Sequence, residues 1–136
     1  MENCIFCKIV KGELPCYKIW ENERFLAFLD INPVKPGHAI LVPKKHIDYI
    51  FDLEAPLYSE MFKIVKQLSK VLKKAVGSKK IGLAVEGIFI HHAHIHLIPV
   101  SKGNDLNPTK AKKGNLKELL KIQKKLEFKL KNNFSN

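Results

Sequence analysis

The sequence predicts a single α+β domain with an antiparallel β-sheet. Three observations support this fold class. The length of 136 residues fits one domain, and strand-like and helix-like patterns follow one another in the order strands, helix, strands, helix. The regular βαβ alternation of a parallel sheet is missing. We therefore expect one domain over residues 1–136, with a core over about 1–100 and a basic extension that carries a helix over 101–136.

The first half of the chain predicts three strands, which we expect to pair antiparallel. They cover residues 16–20, 24–30 and 38–46, where β-branched, aromatic and other apolar residues are concentrated. The polar turn ENE separates the first two strands, and the proline- and glycine-containing segment INPVKPG separates the second from the third.

The second half predicts two helices and two further strands. The first helix begins near Pro56 and ends at Gly77, because apolar residues recur there in steps of three and four. Strands follow over residues 81–87 and 89–100, and residues 115–131 show the pattern of a second amphipathic helix. The expected fold is thus a five-stranded sheet with two helices.

Charge and composition narrow the classes of function. The net charge is +11, and residues 101–136 hold ten lysines against Asp105, Glu118 and Glu127. Such a surface attracts polyanions, including nucleotides, RNA and acidic membranes. A solvated lysine-rich face explains the composition equally well, because nearly all of the positive charge is lysine rather than arginine.

The location of the protein is also suggested by its sequence. The chain has no apolar run long enough to span a bilayer and no leader pattern at its start, so we expect a cytoplasmic protein without a membrane partner. Its three cysteines are an odd number, which argues against a disulfide framework.

The segment HHAHIHLIP, residues 91–99, holds four of the six histidines. Alternation along a strand places His92, His94 and His96 on one face and His91 on the other. Imidazoles in this arrangement bind metals such as zinc, copper, iron or nickel. They also serve in phosphoryl or nucleotidyl transfer, because neutral imidazole is a nucleophile and imidazolium stabilises phosphate oxygens. The spacing alone leaves both kinds of chemistry open.

A family resemblance joins this segment to the start of the chain. Residues 92–98 fit the pattern H-φ-H-φ-H-φ-φ, where φ is apolar, and the stretch from CIFCKIV to PKKH, residues 4–46, is similar to the amino-terminal half of the same proteins. On these residues the chain is identified as a member of the histidine triad (HIT) superfamily, in its zinc-binding, bacterial-type branch. The resemblance implies a HIT-like five-stranded antiparallel sheet with one long helix packed on it, a purine nucleotide substrate and a homodimer.

The resemblance also implies an activity and a set of site residues. A HIT nucleoside phosphoramidase or dinucleoside polyphosphate hydrolase uses its middle histidine, here His94, to attack the α-phosphate, and water then resolves the nucleotidyl-histidine. His96 takes the position that donates to the phosphate or leaving group. The implied substrate-binding residues are Phe6, Ile9, Phe28, Asp30 and Ile31, with Asp30 as the ribose ligand. By pattern alone, the apolar residues of this set would be ordinary core.

The pair Cys4 and Cys7 forms a C-x-x-C motif. A thioredoxin-like dithiol normally follows a strand, and residue 4 leaves no room for one. The resemblance implies that the pair instead binds structural Zn²⁺ together with His46 and His92. Four protein ligands would close the zinc coordination shell. Cys16 and His38 receive no functional assignment.

The segment EGIFIHH, residues 86–92, departs from the family pattern. Many relatives have polar residues before the triad that contact the phosphates, whereas Phe89 stands here about where a serine would be. Phosphate-side contacts therefore do not carry over. Two alternatives stay open, a nucleotide- or RNA-binding module with little turnover and a metal-handling protein.

Overall fold

The structure, a computed structural model, describes residues 3–134. Its helices and strands follow the predicted order. They are α1 (Ile5–Val10), β1 (Tyr17–Glu21), β2 (Phe25–Leu29), β3 (Ala39–Pro43), a 3₁₀ turn (Ile50–Asp52), α2 (Ala55–Val76), β4 (Lys80–Ala84), β5 (Ile95–Val100), a 3₁₀ turn (Pro108–Lys110) and α3 (Leu116–Asn133). All neighbouring strands pair antiparallel in the order β1-β2-β3-β5-β4, which confirms the α+β class and the five-stranded sheet.

The sheet is covered on both faces, and alternation along β2 shows how. Phe25 and Leu29 belong to the larger core under α2 and α3. Leu26 and Phe28 point to the opposite face, where they form a smaller core with Phe6 of α1. Every residue of β2 and β3 is consequently buried, so these strands read as continuous apolar runs rather than as alternating ones.

The two long helices form where the periodicity predicts them. Helix α2 has a proline in its first turn and ends at Gly77, whose positive φ of 72° closes the last turn. Helix α3 begins after Asn115, whose side chain accepts a hydrogen bond from the backbone N–H of Glu118. None of the helices within residues 3–134 is long and apolar enough to cross a membrane.

The prediction of two helices is wrong, because a third, α1, opens the described chain. It spans only six residues, less than two turns, which is too short for a helical period to show in the sequence. The Cys4 Sγ atom caps it by accepting from the backbone N–H of Cys7. Its buried residues Phe6 and Cys7 face the smaller core.

The third and the last strands are shorter in the structure than the sequence predicts. The third strand ends at Pro43 rather than at residue 46, and the last strand begins at Ile95 rather than at residue 89. The ladder between β3 and β5 ends at the pair Leu41–Ile95, and Pro43, which has no N–H to donate, adds no further pair to it. His92 and His94 therefore lie just before β5 and not within it.

The turn before β3 requires a glycine. Gly37 has a φ of +92°, and a Cβ atom there would lie 2.9 Å from Val76 Cγ1 and 3.3 Å from Pro99 Cγ. This turn brings the chain close to α2 and β5 and places His38 directly at the start of β3.

Candidate active site and metal centre

A cavity of about 510 Å³ opens on the face of the sheet that carries α1. This volume lies within the usual range of small-molecule sites, about 300–1,000 Å³. His94 and His96 both line the cavity. The residues predicted to bind substrate line it as well; they are Phe6, Ile9, Phe28, Asp30 and Ile31.

The sheet register explains why these residues meet. Ile40 of β3 pairs with His96 of β5 and lies in the smaller core with Phe28. Because paired residues share a face of the sheet, His96 points to the same side as Phe28, and His94, just before the strand, lines the same cavity. The rings of His94 and His96 have centroids 5.0 Å apart, and Phe6 places its ring edge-on to His94 at 5.0 Å.

The tautomer of His94 is set by the backbone. Its Nδ1 atom lies 2.7 Å from the carbonyl oxygen of His92, which only accepts hydrogen bonds. Nδ1 must therefore carry the proton, which leaves a lone pair on Nε2. Burial lowers the pKa of His94, so the ring is neutral at pH 7 and the Nε2 lone pair is available.

A chain of two hydrogen bonds sets the tautomer of His96. The backbone N–H of Val34 donates to His38 Nδ1 over 3.0 Å, so the His38 proton sits on Nε2. His38 Nε2–H donates in turn to His96 Nδ1 over 2.9 Å. His96 is left with its proton on Nε2, as a donor on a ring that lines the cavity.

The same chain keeps both histidines neutral. Burial lowers the pKa of His38 to about 4 and, together with the neighbouring His38, that of His96 to about 4. A second proton on His96 would also bring two N–H groups face to face, because His38 Nε2 already holds one. His96 thus acts as a neutral hydrogen-bond donor.

Asp30 follows β2 at the wall of the cavity. Its Oδ1 atom accepts the backbone N–H of Asn32 over 2.8 Å, and its Oδ2 atom lies 3.5 Å from His38 Nε2. Burial raises the pKa of this carboxyl group. The carboxylate keeps free acceptor positions for a substrate hydroxyl.

The four predicted metal ligands form a second cluster beside the cavity. The ligand atoms of Cys4, Cys7, His46 and His92 all lie within 4.8 Å of one another. His92 Nδ1 lies 3.3 Å from Cys4 Sγ and 3.5 Å from Cys7 Sγ, and His46 Nδ1 lies 3.2 Å from Cys7 Sγ. Zinc bonds of about 2.3 Å to sulfur and 2.0–2.1 Å to nitrogen place such ligands about 3.5 Å apart in a tetrahedron. The residues fit a zinc ion.

His92 connects the two sites. Its Nε2–H donates to the carbonyl oxygen of Pro43 over 2.7 Å, which fixes the tautomer that turns the Nδ1 lone pair toward the cysteines. Its own backbone carbonyl accepts from His94 Nδ1. The ring of His92 faces the metal cluster while its backbone orients the cavity histidine.

Three residues lie outside the predicted site. His91 is exposed, and its Nδ1 atom lies 3.3 Å from Asp48 Oδ1, away from the ligand cluster. Cys16 lines the cavity but belongs neither to the hydrogen-bond chain of His38 and His96 nor to the metal cluster. His38 is the functional residue that sequence reasoning missed. Alternation from Ile40 would have placed it on the same face as His96, but only once the register of β3 with β5 was known.

This fold, with neutral histidines just before and within β5, is that of the histidine triad class of domains. Comparison with known proteins gives the same result. The family model described as HIT domain matches residues 11–103. The chain belongs to the HIT family.

Individual relatives support this membership. An uncharacterized HIT-like protein of Borreliella burgdorferi is 35% identical over 123 residues, which cover 85% of this chain and 88% of the relative. An adenosine 5′-monophosphoramidase of Schizosaccharomyces pombe is 37% identical over 102 residues, or 71% of this chain and 74% of that protein. The crystal structure of a hypothetical histidine triad nucleotide-binding protein of Sulfolobus tokodaii has a TM-score of 0.85 at 31% identity, covering 95% of this chain and 93% of that chain.

Proposed function

We propose that this protein is a nucleotide hydrolase that cleaves at the α-phosphate of a purine nucleoside phosphoramidate or dinucleoside polyphosphate. The observation that carries the proposal is the pair of fixed tautomers, an unprotonated Nε2 on His94 beside a protonated Nε2 on His96. A nucleophile and a hydrogen-bond donor are the two groups that nucleotidyl transfer needs. The relative named as an adenosine 5′-monophosphoramidase supports the substrate class.

The reaction proceeds in two steps. His94 Nε2 attacks phosphorus, an N–P bond forms, and the bond from phosphorus to the leaving nitrogen or oxygen breaks. The leaving atom keeps the bonding pair, accepts a hydrogen bond from His96 Nε2–H and takes its proton from water. His94 carries a positive charge while it is bonded to phosphorus, and His96 stays neutral throughout. Water then attacks the nucleotidyl-histidine, the N–P bond breaks, and His94 leaves as a neutral imidazole while the attacking water loses its proton to solvent.

The nucleoside lies in the apolar part of the cavity in this proposal. Phe6 and Phe28 are buried and form an edge-to-face pair, with ring centroids 5.6 Å apart, that supplies a rigid apolar wall. Ile9 and the exposed Ile31 extend this wall to the cavity mouth. Asp30 is placed to accept hydrogen bonds from the ribose hydroxyls, because it lines the cavity and its carboxylate keeps acceptor positions beyond the one that Asn32 N–H uses.

A structural Zn²⁺ is proposed for the second cluster. Its ligands would be Cys4, Cys7, His46 and His92, and the support is the spacing of their donor atoms and the fixed tautomer of His92. Four protein ligands leave no open position for substrate, so the ion would hold α1 against the histidine segment and take no part in the reaction. The homodimer implied by the resemblance and the cytoplasmic location expected from the sequence stay predictions.

The direct test replaces the proposed nucleophile. His94→Ala should lower AMP release from adenosine 5′-phosphoramidate by at least about a thousandfold, because no other group replaces the covalent step. His91→Ala is the matched control, since His91 is exposed and outside both sites, and its rate should stay within about twofold of the wild type. A His94→Ala variant with the wild-type rate would refute the proposed mechanism. Tight AMP binding without any turnover in the wild type would favour a binding module instead.

A further inference from the structure

The segment between β4 and the histidines presents apolar side chains to solvent at the cavity. Val85, Ile88 and Phe89 are exposed, and Phe89 is 90% exposed. Ile88, Phe89 and Ile90 line the cavity that contains His94 and His96. Ile90 also packs on the smaller core and anchors the segment there. The exposed ring of Phe89 can therefore contact a substrate group that binds next to His94 and His96.

The charges around the cavity restrict what can bind there. Although the chain carries a net charge of +11, no lysine or arginine within residues 3–134 lines this cavity. Its acidic residues are Asp30 and Glu86, and Glu86 belongs to the apolar segment. A polyphosphate leaving group would bring several negative charges to a wall without a cation. An amine leaving group brings none and becomes a cation on release, which a carboxylate attracts.

We propose that residues 86–90 form a leaving-group subsite for amines with an apolar body. The substrate class is nucleoside 5′-phosphoramidates whose nitrogen bears an aryl or aralkyl group, in preference to dinucleoside polyphosphates. Phe89 and Ile88 contact the apolar body, and Glu86 faces the amine. This inference rests on the proposed function: when His94 Nε2 bonds to phosphorus, the P–N bond breaks and the amine leaves with its electron pair and a proton from water, with His96 Nε2–H hydrogen-bonded to it.

The proposal can be tested with two substrates that differ in the apolar body of the amine. Adenosine 5′-phosphoramidates of methylamine and of 2-phenylethylamine would be hydrolysed by the full-length, zinc-loaded protein, with diadenosine tetraphosphate as a third substrate. The two amines are of similar basicity, so the ratio of kcat/KM reports contacts to the phenyl group. We expect a preference of at least about tenfold for 2-phenylethylamine and the lowest kcat/KM for diadenosine tetraphosphate.

Two phenylalanine variants identify the contact. Phe89→Ser should reduce the preference for 2-phenylethylamine by about tenfold. Phe128→Ser is the matched control, because Phe128 is an exposed phenylalanine on α3 that does not line the cavity, and it should keep the wild-type ratio. Both side chains are largely exposed, so neither substitution removes core packing.

The possible outcomes distinguish a failure of the proposed subsite from a failure of the proposed hydrolase function. AMP release from both amides without a preference, or with a preference that Phe89→Ser does not alter, would overturn the subsite and leave the hydrolase proposal intact. No AMP from any of the three substrates would overturn both. Light scattering gives an independent check: if Phe89→Ser splits a dimer while the substrate ratio is unchanged, the occupant of the segment is a second copy of the chain and the subsite is refuted.

Discussion

Replacing His38 tests whether the hydrogen-bond chain controls His96. His38→Phe keeps a ring of similar size but removes both the acceptor of the Val34 N–H and the donor to His96 Nδ1. The proton of His96 is then no longer confined to Nε2. In molecules where it moves to Nδ1, the Nε2 atom has nothing to donate to the phosphate or the leaving group.

The size of the effect follows from the buried hydrogen bond that is lost. A buried acceptor left without a partner costs about 1–3 kcal/mol. If the whole cost falls on the transition state, kcat drops by about fivefold to 150-fold, since about 1.4 kcal/mol corresponds to a factor of ten. His38 acts through His96 and is a positioning residue, so KM should change much less than kcat.

Two measurements check this reasoning. The first is kcat for AMP release, and the second is ¹⁵N NMR of the His96 ring, which distinguishes a proton on Nε2 from one on Nδ1. His38→Gln serves as the control, because its amide can accept from Val34 and donate to His96, and it should recover most of the rate. An unchanged His96 tautomer in His38→Phe, together with kcat within twofold of the wild type, would refute the proposed role of the chain.

Three further predictions concern stability and metal. Burial lowers the pKa of His38 and His96 to about 4, so as the pH falls the unfolded chain takes up protons before the folded chain does. Urea unfolding should therefore show that the free energy of unfolding decreases by on the order of 2 kcal/mol for each histidine between pH 7 and pH 5. A free energy of unfolding that stays constant over this range would contradict the prediction. Gly37→Ala should cost about 2–4 kcal/mol through its positive φ and its contact with Val76, whereas Gly103→Ala, in open space, should cost little by the same assay. Elemental analysis should find one zinc ion per chain in the wild type, and the Cys7→Ser variant should lack this ion and have a lower Tm. A wild-type protein without zinc would exclude the metal centre.

The long elements of the fold could be predicted because each has one dominant pattern. Helices α2 and α3 bury one face only, so their apolar residues recur with a helical period. The strands β2 and β3 are apolar on both sides and lie between turn residues. Helix α1 escaped prediction because its stability comes from the Cys4 cap and from packing on the sheet rather than from a repeat.

The site was predictable only in part, for a related reason. Residues close together in sequence, such as His94 and His96, can be grouped by alternation alone. His38 lies 58 positions from its partner His96, and their contact depends on strand register, which the local pattern does not contain. The assignment of Cys4, Cys7, His46 and His92 to one cluster likewise came from the family resemblance, and the structure brings their donor atoms together.

The way His92 is shared between the two sites suggests how they depend on each other. The ring of His92 is held by Pro43 at one nitrogen and by the cysteine cluster at the other, whereas the backbone carbonyl of His92 orients the ring of His94. Loss of a zinc ion at the cluster would free the Nδ1 side of the ring and loosen α1, but it would leave the bond to Pro43 and the ladder of β3 with β5 in place. Metal loss should therefore lower stability first. It should affect the rate only to the extent that the His92 carbonyl moves away from His94 Nδ1, since that bond alone decides which nitrogen of His94 carries the lone pair.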